Sequence, residues 1–157
     1  MLLHDLIAPE RISLSISASS KKRLLEKISE LLGEAVPDLD DRAIFQSLID
    51  RERLGSTGVG DGVALPHGRL KGLDRAIGAC VILREEMDYD SIDGNPVKII
   101  FALLVPEEAT DEHLQLLAQL ARIFTVAENR ERLLDADQID EVYNFFCSFD
   151  SNYQQAS

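Results

Sequence analysis

Val97–Val105, VKIIFALLV, is the most apolar stretch of the chain, broken only by Lys98. It lies between a strong reversal signal, Asp93-Gly94-Asn95-Pro96, and Pro106. A run of this length and polarity has no face to offer water. It reads as a strand buried on both sides, which requires a covering layer above and below it. A second strand-length apolar run, Ala76–Leu83, is suited to the same sheet.

The covering layers are read from helical periodicity. Leu24, Leu25, Ile28, Leu31 and Leu32 form one apolar stripe, with Ser19 or Ser20 as its cap and Gly33 at its exit. The basic cluster Lys21-Lys22-Arg23 falls in the first turn, where the helix dipole disfavours cations, and reads as a solvated face. After Pro37 and an acidic loop, Asp40 or Asp41 caps a second helix that turns Ile44, Phe45, Leu48 and Ile49 inward and ends near Leu54-Gly55. A third helix, capped by Thr110 or Asp111, carries Leu114, Leu117, Leu120, Ala121 and Phe124. Glu128–Leu134 is a short helix, and a last helix runs from about Asp137 to Phe149. Near the start, Leu2, Leu3, Leu6 and Ile7 fit one helical turn stopped by Pro9. Ile12, Leu14 and Ile16 then alternate with serines as in a half-buried strand.

The 157 residues suit a single domain, with a core from about 5 to 149 and a polar, frayed tail over 150–157. A net charge of −12 disfavours nucleic acid and anionic membrane surfaces as partners. The N-terminus lacks the pattern of a signal peptide and no apolar run reaches the length of a membrane span, so a cytoplasmic location is expected. Cys80 and Cys147 sit in apolar surroundings without metal-ligand spacing and read as structural thiols in a reducing compartment.

Chemistry concentrates in Arg51–Arg69, RERLGSTGVGDGVALPHGR. Val63-Ala64-Leu65 delivers His67 to the end of a short buried strand. Pro66 stiffens the approach, and Gly68 lets the backbone turn away. Glycines at 55, 58, 60 and 62 allow backbone N–H groups to approach an anion, with Gly55, Ser56, Thr57 and Gly58 as the candidate phosphoryl-binding loop. The segment lacks the Lys-Ser/Thr ending of a nucleotide-binding P-loop, so ATP is not the expected ligand. Arg51 and Arg53 can supply a guanidinium fork, although Arg51 is equally a favourable charge in a last helical turn. His113 falls at the start of the third helix, directly after the most buried strand, where helix N-termini attract anions. His67 and His113 would therefore meet in the crevice beyond the carboxyl ends of the strands, the usual ligand site of open α/β sheets. A zinc site built on the two histidines and a carboxylate is the weaker alternative, since no third ligand is visible in the spacing.

LIAPERI near the start, RERLGSTGVGDGVALPHGR, and SIDGNPVKIIFALLVPEEATDEHLQLL together resemble the type-2 (mannitol/fructose-class) IIA domains of the bacterial phosphoenolpyruvate-dependent phosphotransferase system. The likeness spans nearly the whole chain and is strongest to the nitrogen-regulatory members. It implies an α/β fold with a mixed sheet flanked by helices on both faces, and a phosphohistidine at His67 with Arg51 and His113 completing the site. The resemblance also implies an HPr-like phosphocarrier (HPr, or NPr in the nitrogen branch) as donor, with regulated targets such as potassium transporters or sensor kinases. No metal or cofactor is expected. Two other readings stand beside this one: a stand-alone component passing phosphate to a sugar-specific IIB domain, and a non-catalytic regulatory binding module.

Overall fold

The computed structural model describes residues 2–108 and 111–156. Its strands are β1 (Ile12–Ser13), β2 (Gly58–Gly60), β3 (Val63–Ala64), β4 (His67–Leu70), β5 (Ile77–Met87) and β6 (Val97–Pro106). They form one mixed sheet in the order β1-β5-β6-β3-β2, with β4 continuing beside β6 past the end of β3. β6 runs parallel to β3 and β4 and antiparallel to β5. The apolar run Val97–Val105 is thus paired along both edges, which satisfies the backbone of a strand that has no access to water.

Helices α1 (Lys21–Gly33) and α2 (Asp41–Glu52) cover one face; α3 (Asp111–Thr125), α4 (Ala127–Leu134) and α5 (Ile139–Ala156) cover the other. The period of two in β6 divides its side chains accordingly. Phe101, Leu103 and Val105 join Leu120, Phe124 and Phe146, whereas Ile100, Ala102 and Leu104 join Leu25, Ile28 and Leu48. Full burial of a leucine, isoleucine or phenylalanine side chain in these layers contributes about 1.5–3 kcal/mol. On the α5 side the Phe101 and Phe146 rings meet edge to face, 5.1 Å between centroids. Ser20 caps α1 through the Arg23 amide, and Asp40 caps α2 through the Arg42 amide. Asp111 is the first residue of α3; Thr110, its alternative as a cap, lies outside the described residues.

Several expectations need correction. The alternating Ile/Ser segment forms a strand only over Ile12–Ser13, although Ile16 still accepts a backbone bond from Arg84. The glycine segment is not an open loop: Gly58–Gly60 pairs with Val63–Ala64 as a hairpin. Its two turn residues, Asp61 and Gly62, take φ of +57° and +80°, the mirror-image turn that suits the twist of paired strands. His67 does not end a strand but opens β4, opposite Leu103. Asp150, expected to begin a frayed tail, belongs to α5. α5 extends beyond Phe149, and the buried Asp150 carboxylate accepts the Leu3 amide at 2.6 Å, the His4 amide at 2.8 Å and His4 Nδ1 at 2.9 Å. This carboxylate fastens the N-terminal 3-10 turn, Leu3–Asp5, to α5.

Candidate functional site

Gly68 determines how the site is assembled. A Cβ at this position would lie 2.6 Å from Ser47 Oγ and 2.9 Å from the Ser47 carbonyl carbon and oxygen. Glycine is needed there for close packing of β4 on α2 rather than for a turn. Arg51 lies four residues after Ser47, hence one turn further along the same helix face. His67 immediately precedes Gly68. The close approach therefore sets the guanidinium of α2 against the imidazole of β4.

His67, Arg51 and His113 line one open cleft of about 450 Å³, together with Ser47, Asp50, Leu54, Gly68, Arg69, Leu103, Val105, Leu114 and Leu117. Three elements supply the named side chains: α2 gives Arg51, β4 gives His67 and the first turn of α3 gives His113. Arg51 Nη1 donates to the Gly55 carbonyl at 3.0 Å, so the loop after α2 holds the guanidinium in place.

His67 is half-buried, and its Nδ1 lies 2.9 Å from the Leu65 carbonyl. A carbonyl can only accept, so the proton is on Nδ1 and the lone pair of the neutral ring is on Nε2. Burial lowers the imidazole pKa below its ordinary 6.5. The Arg51 cation lowers it further, against opposing effects from the Leu65 hydrogen bond and the Glu52 carboxylate. The ring is therefore neutral at pH 7, with its tautomer fixed and one nitrogen able to act as a nucleophile.

The glycine segment contributes in another way than expected. Gly55, Ser56, Thr57 and Gly58 are not among the described residues lining the cleft. The Gly55 amide donates to the Glu52 carbonyl, Thr57 N–H to Glu52 Oε1 at 2.9 Å, and Gly58 N–H to Ser56 Oγ at 3.1 Å. These amides bind the protein itself. Arg53 caps the end of α2 beside Asp50, outside the cleft lining. Arg69, not among the expected site residues, lies two residues after His67 and so on the same side of β4, where it lines the cleft. Among the described residues no three His, Cys, Asp or Glu side chains come together as a metal-binding group.

Residues 5–148 match the family of the phosphoenolpyruvate-dependent sugar phosphotransferase system, EIIA 2, and the chain belongs to that family. Within it, the chain is similar to nitrogen regulatory proteins and, at lower identity, to fructose-specific components. The nitrogen regulatory protein of Pseudomonas aeruginosa is 43% identical over 141 residues, covering 90% of this chain and 92% of that one. Its namesake from Escherichia coli is 37% identical over 142 residues, 90% and 86% of the two chains. The crystal structure of nitrogen regulatory protein IIA-Ntr from Neisseria meningitidis superposes with a TM-score of 0.86 at 42% identity, over 92% of this chain and 98% of that one. IIA mannitol from Escherichia coli shares the fold, with a TM-score of 0.75 at 21% identity over 89% and 98% of the chains. No helix among the described residues is long and apolar enough to cross a membrane.

Proposed function

We propose that the chain is a phosphoryl-relay regulator of the nitrogen branch of the phosphotransferase system, with His67 Nε2 as the acceptor. The observation that carries this reading is the 2.9 Å contact from His67 Nδ1 to the Leu65 carbonyl, which leaves the nucleophilic lone pair on Nε2 of a ring lining an open cleft. The donor is the phosphohistidine of an HPr-like carrier, HPr itself or NPr. The Nε2 lone pair attacks phosphorus in line, a new N–P bond forms, and the carrier's N–P bond breaks. The electron pair of the broken bond returns to the carrier's imidazole. His67 Nδ1–H stays on Leu65 throughout and stabilises the positive charge that the ring acquires.

Arg51 faces the equatorial oxygens, where loss of one such electrostatic donor typically slows a reaction by about 100-fold or more. His113 and the N-terminal turn of α3 complete the anion site. The N–P bond of the donor is already activated, so the transfer needs no metal. Output is regulatory: the phosphorylated and free forms bind different targets, among which potassium transporters and sensor kinases fit this branch.

The test is intact mass after incubation with phosphoenolpyruvate, the first enzyme of the system and its carrier, for wild type and His67→Ala. One acid-labile phosphoryl group on wild type and none on the variant is expected. A wild type that takes up no phosphoryl group from HPr or NPr would leave a binding module in place of the relay. Rapid onward transfer to a sugar-specific IIB domain would replace the regulatory output with a transport role.

A further inference from the structure

Directly behind the cleft lies a buried polar cluster that the proposed transfer does not itself use. Glu52, the residue after Arg51, is buried. Its Oε1 accepts Lys21 Nζ at 2.8 Å and the Thr57 amide at 2.9 Å. Its Oε2 accepts Thr57 Oγ1 at 2.6 Å, and the Tyr89 hydroxyl lies 3.5 Å away. Thr57 Oγ1 and the Tyr89 hydroxyl are 3.1 Å apart. Lys21 Nζ sits over the Tyr89 ring, 4.4 Å from its centroid, and pairs with the buried carboxylate. Burial and the neighbouring Glu52 charge both raise the Tyr89 pKa, so the hydroxyl stays protonated and available as a donor.

The cluster has a direct route to the site. Glu52 grips the backbone and the hydroxyl of Thr57, which closes the segment 53–56 into a fixed turn. Within that turn the Gly55 amide donates to the Glu52 carbonyl, and the Gly55 carbonyl receives Arg51 Nη1 at 3.0 Å. A cleft-lining guanidinium in the last turn of a helix would otherwise sample several rotamers, and ordering it costs side-chain entropy. The Glu52 charge also raises the His67 pKa, so the same carboxylate acts on both partners of the site.

We propose that Glu52 is the positioning residue of the phosphoryl site: held by Lys21, it clamps Thr57 and thereby fixes the Gly55 carbonyl that aims Arg51. This rests on the reading of His67 as phosphoryl acceptor. It goes beyond that reading in assigning the GSTG segment to orienting the arginine instead of cradling the phosphoryl group.

The experiment is single-turnover transfer from phosphorylated HPr-like carrier to wild type, Glu52→Gln, Arg51→Ala and the double variant, with unfolding followed in parallel. A misplacement near 1 Å is worth on the order of 100-fold in rate, so Glu52→Gln alone is expected to slow transfer about 10- to 100-fold. In the Arg51→Ala background the same change should add less than about 2-fold, because the guanidinium it positions is gone. The acid limb of the rate profile should move to lower pH in Glu52→Gln, as removal of the carboxylate lowers the His67 pKa further. Thr57→Val should slow transfer with the same dependence on Arg51, and Thr57→Ser should restore it. Should Glu52→Gln fail to fold, the Thr57 pair with Arg51→Ala decides the question alone. Equal losses with and without Arg51 would make the cluster merely structural and overturn the inference while leaving the relay intact. No phosphoryl group on wild type His67 would overturn both.

Discussion

Gly68→Ala tests whether the packing of α2 on β4 builds the site. The added methyl group would sit 2.9 Å from the Ser47 carbonyl atoms, against about 3.4 Å for ordinary contact, so helix and strand must part by about 0.5 Å. Overpacking of this kind costs about 2 kcal/mol, and the stiffer unfolded chain returns about 0.5 kcal/mol. The remaining ~1.5 kcal/mol lowers the melting temperature by roughly 3–6 °C in a chain of this size. Function should suffer more than stability. Arg51 moves with α2 while His67 stays with β4, and half of a misplacement worth on the order of 100-fold per ångström gives about 10-fold. Thermal unfolding by circular dichroism and single-turnover transfer from the phosphorylated carrier read the two effects separately. Adding Ser47→Ala should not rescue either, since it removes the Oγ contact at 2.6 Å but leaves the backbone contacts at 2.9 Å. A Gly68→Ala protein with wild-type melting and wild-type transfer would show that the close approach does not govern the site.

His67 and Asp150 give two further expectations. Because the His67 pKa lies below 6.5 in the folded chain, transfer should be independent of pH above that value and decline only in more acidic solution. The same shift affects stability. Below pH 6.5 the unfolded chain binds the His67 proton more readily than the folded one, so this contribution is complete above 6.5 and is lost as pH falls through the folded value. The stability difference between wild type and His67→Ala, measured by urea unfolding from pH 7.5 to 5, should therefore shift against wild type on acidification; a constant difference would refute it. Asp150→Ala leaves the Leu3 and His4 amides without their acceptor, at a cost of about 1–3 kcal/mol. Those two amides should then exchange hydrogen much faster than in wild type, and unchanged protection would show that Asp150 does not hold the N-terminal turn.

The layers of the fold were legible because each follows from a local pattern. VKIIFALLV has no polar side, and the stripes of α1, α2 and α3 have only one apolar side each. The strand pairings were less accessible. β4 is recognisable only once His67–Leu70 has β6 beside it, since a four-residue HGRL carries no alternation that distinguishes strand from turn. Asp61-Gly62 is a hairpin signal in its own right, but the density of glycines around it favoured an anion loop. Of the site, His67, Arg51 and His113 could be singled out from helix ends and strand ends, where backbone geometry itself restricts the chemistry. Lys21 could not. It reads as one of three solvated cations, and its partner Glu52 is 31 positions away. An ion pair between two helices depends on how those helices cross, and no local pattern encodes that.

Charge gives the proposed regulation a physical basis. The chain carries a net −12, yet the cleft is lined by Arg51, Arg69, His67 and His113 with Asp50 as its acidic member among the described residues. The free protein thus presents a small basic concavity, edged by the exposed Leu54 and Leu114, on an otherwise acidic surface. A phosphoryl group on His67 would add close to two negative charges at the centre of that concavity. Arg51 would then be engaged by the phosphoryl oxygens instead of being available to a partner. A target that grips the free form through an acidic side chain would be repelled by the phosphorylated form, whereas one that binds elsewhere on the surface would sense little change. Leu54 and Leu114 carry no charge to be repelled by a phosphoryl group, so a partner that docks on this apolar rim would be less affected than one that grips Arg51. Regulation by such a protein requires no conformational change in the sheet, only reversal of the charge within one cleft.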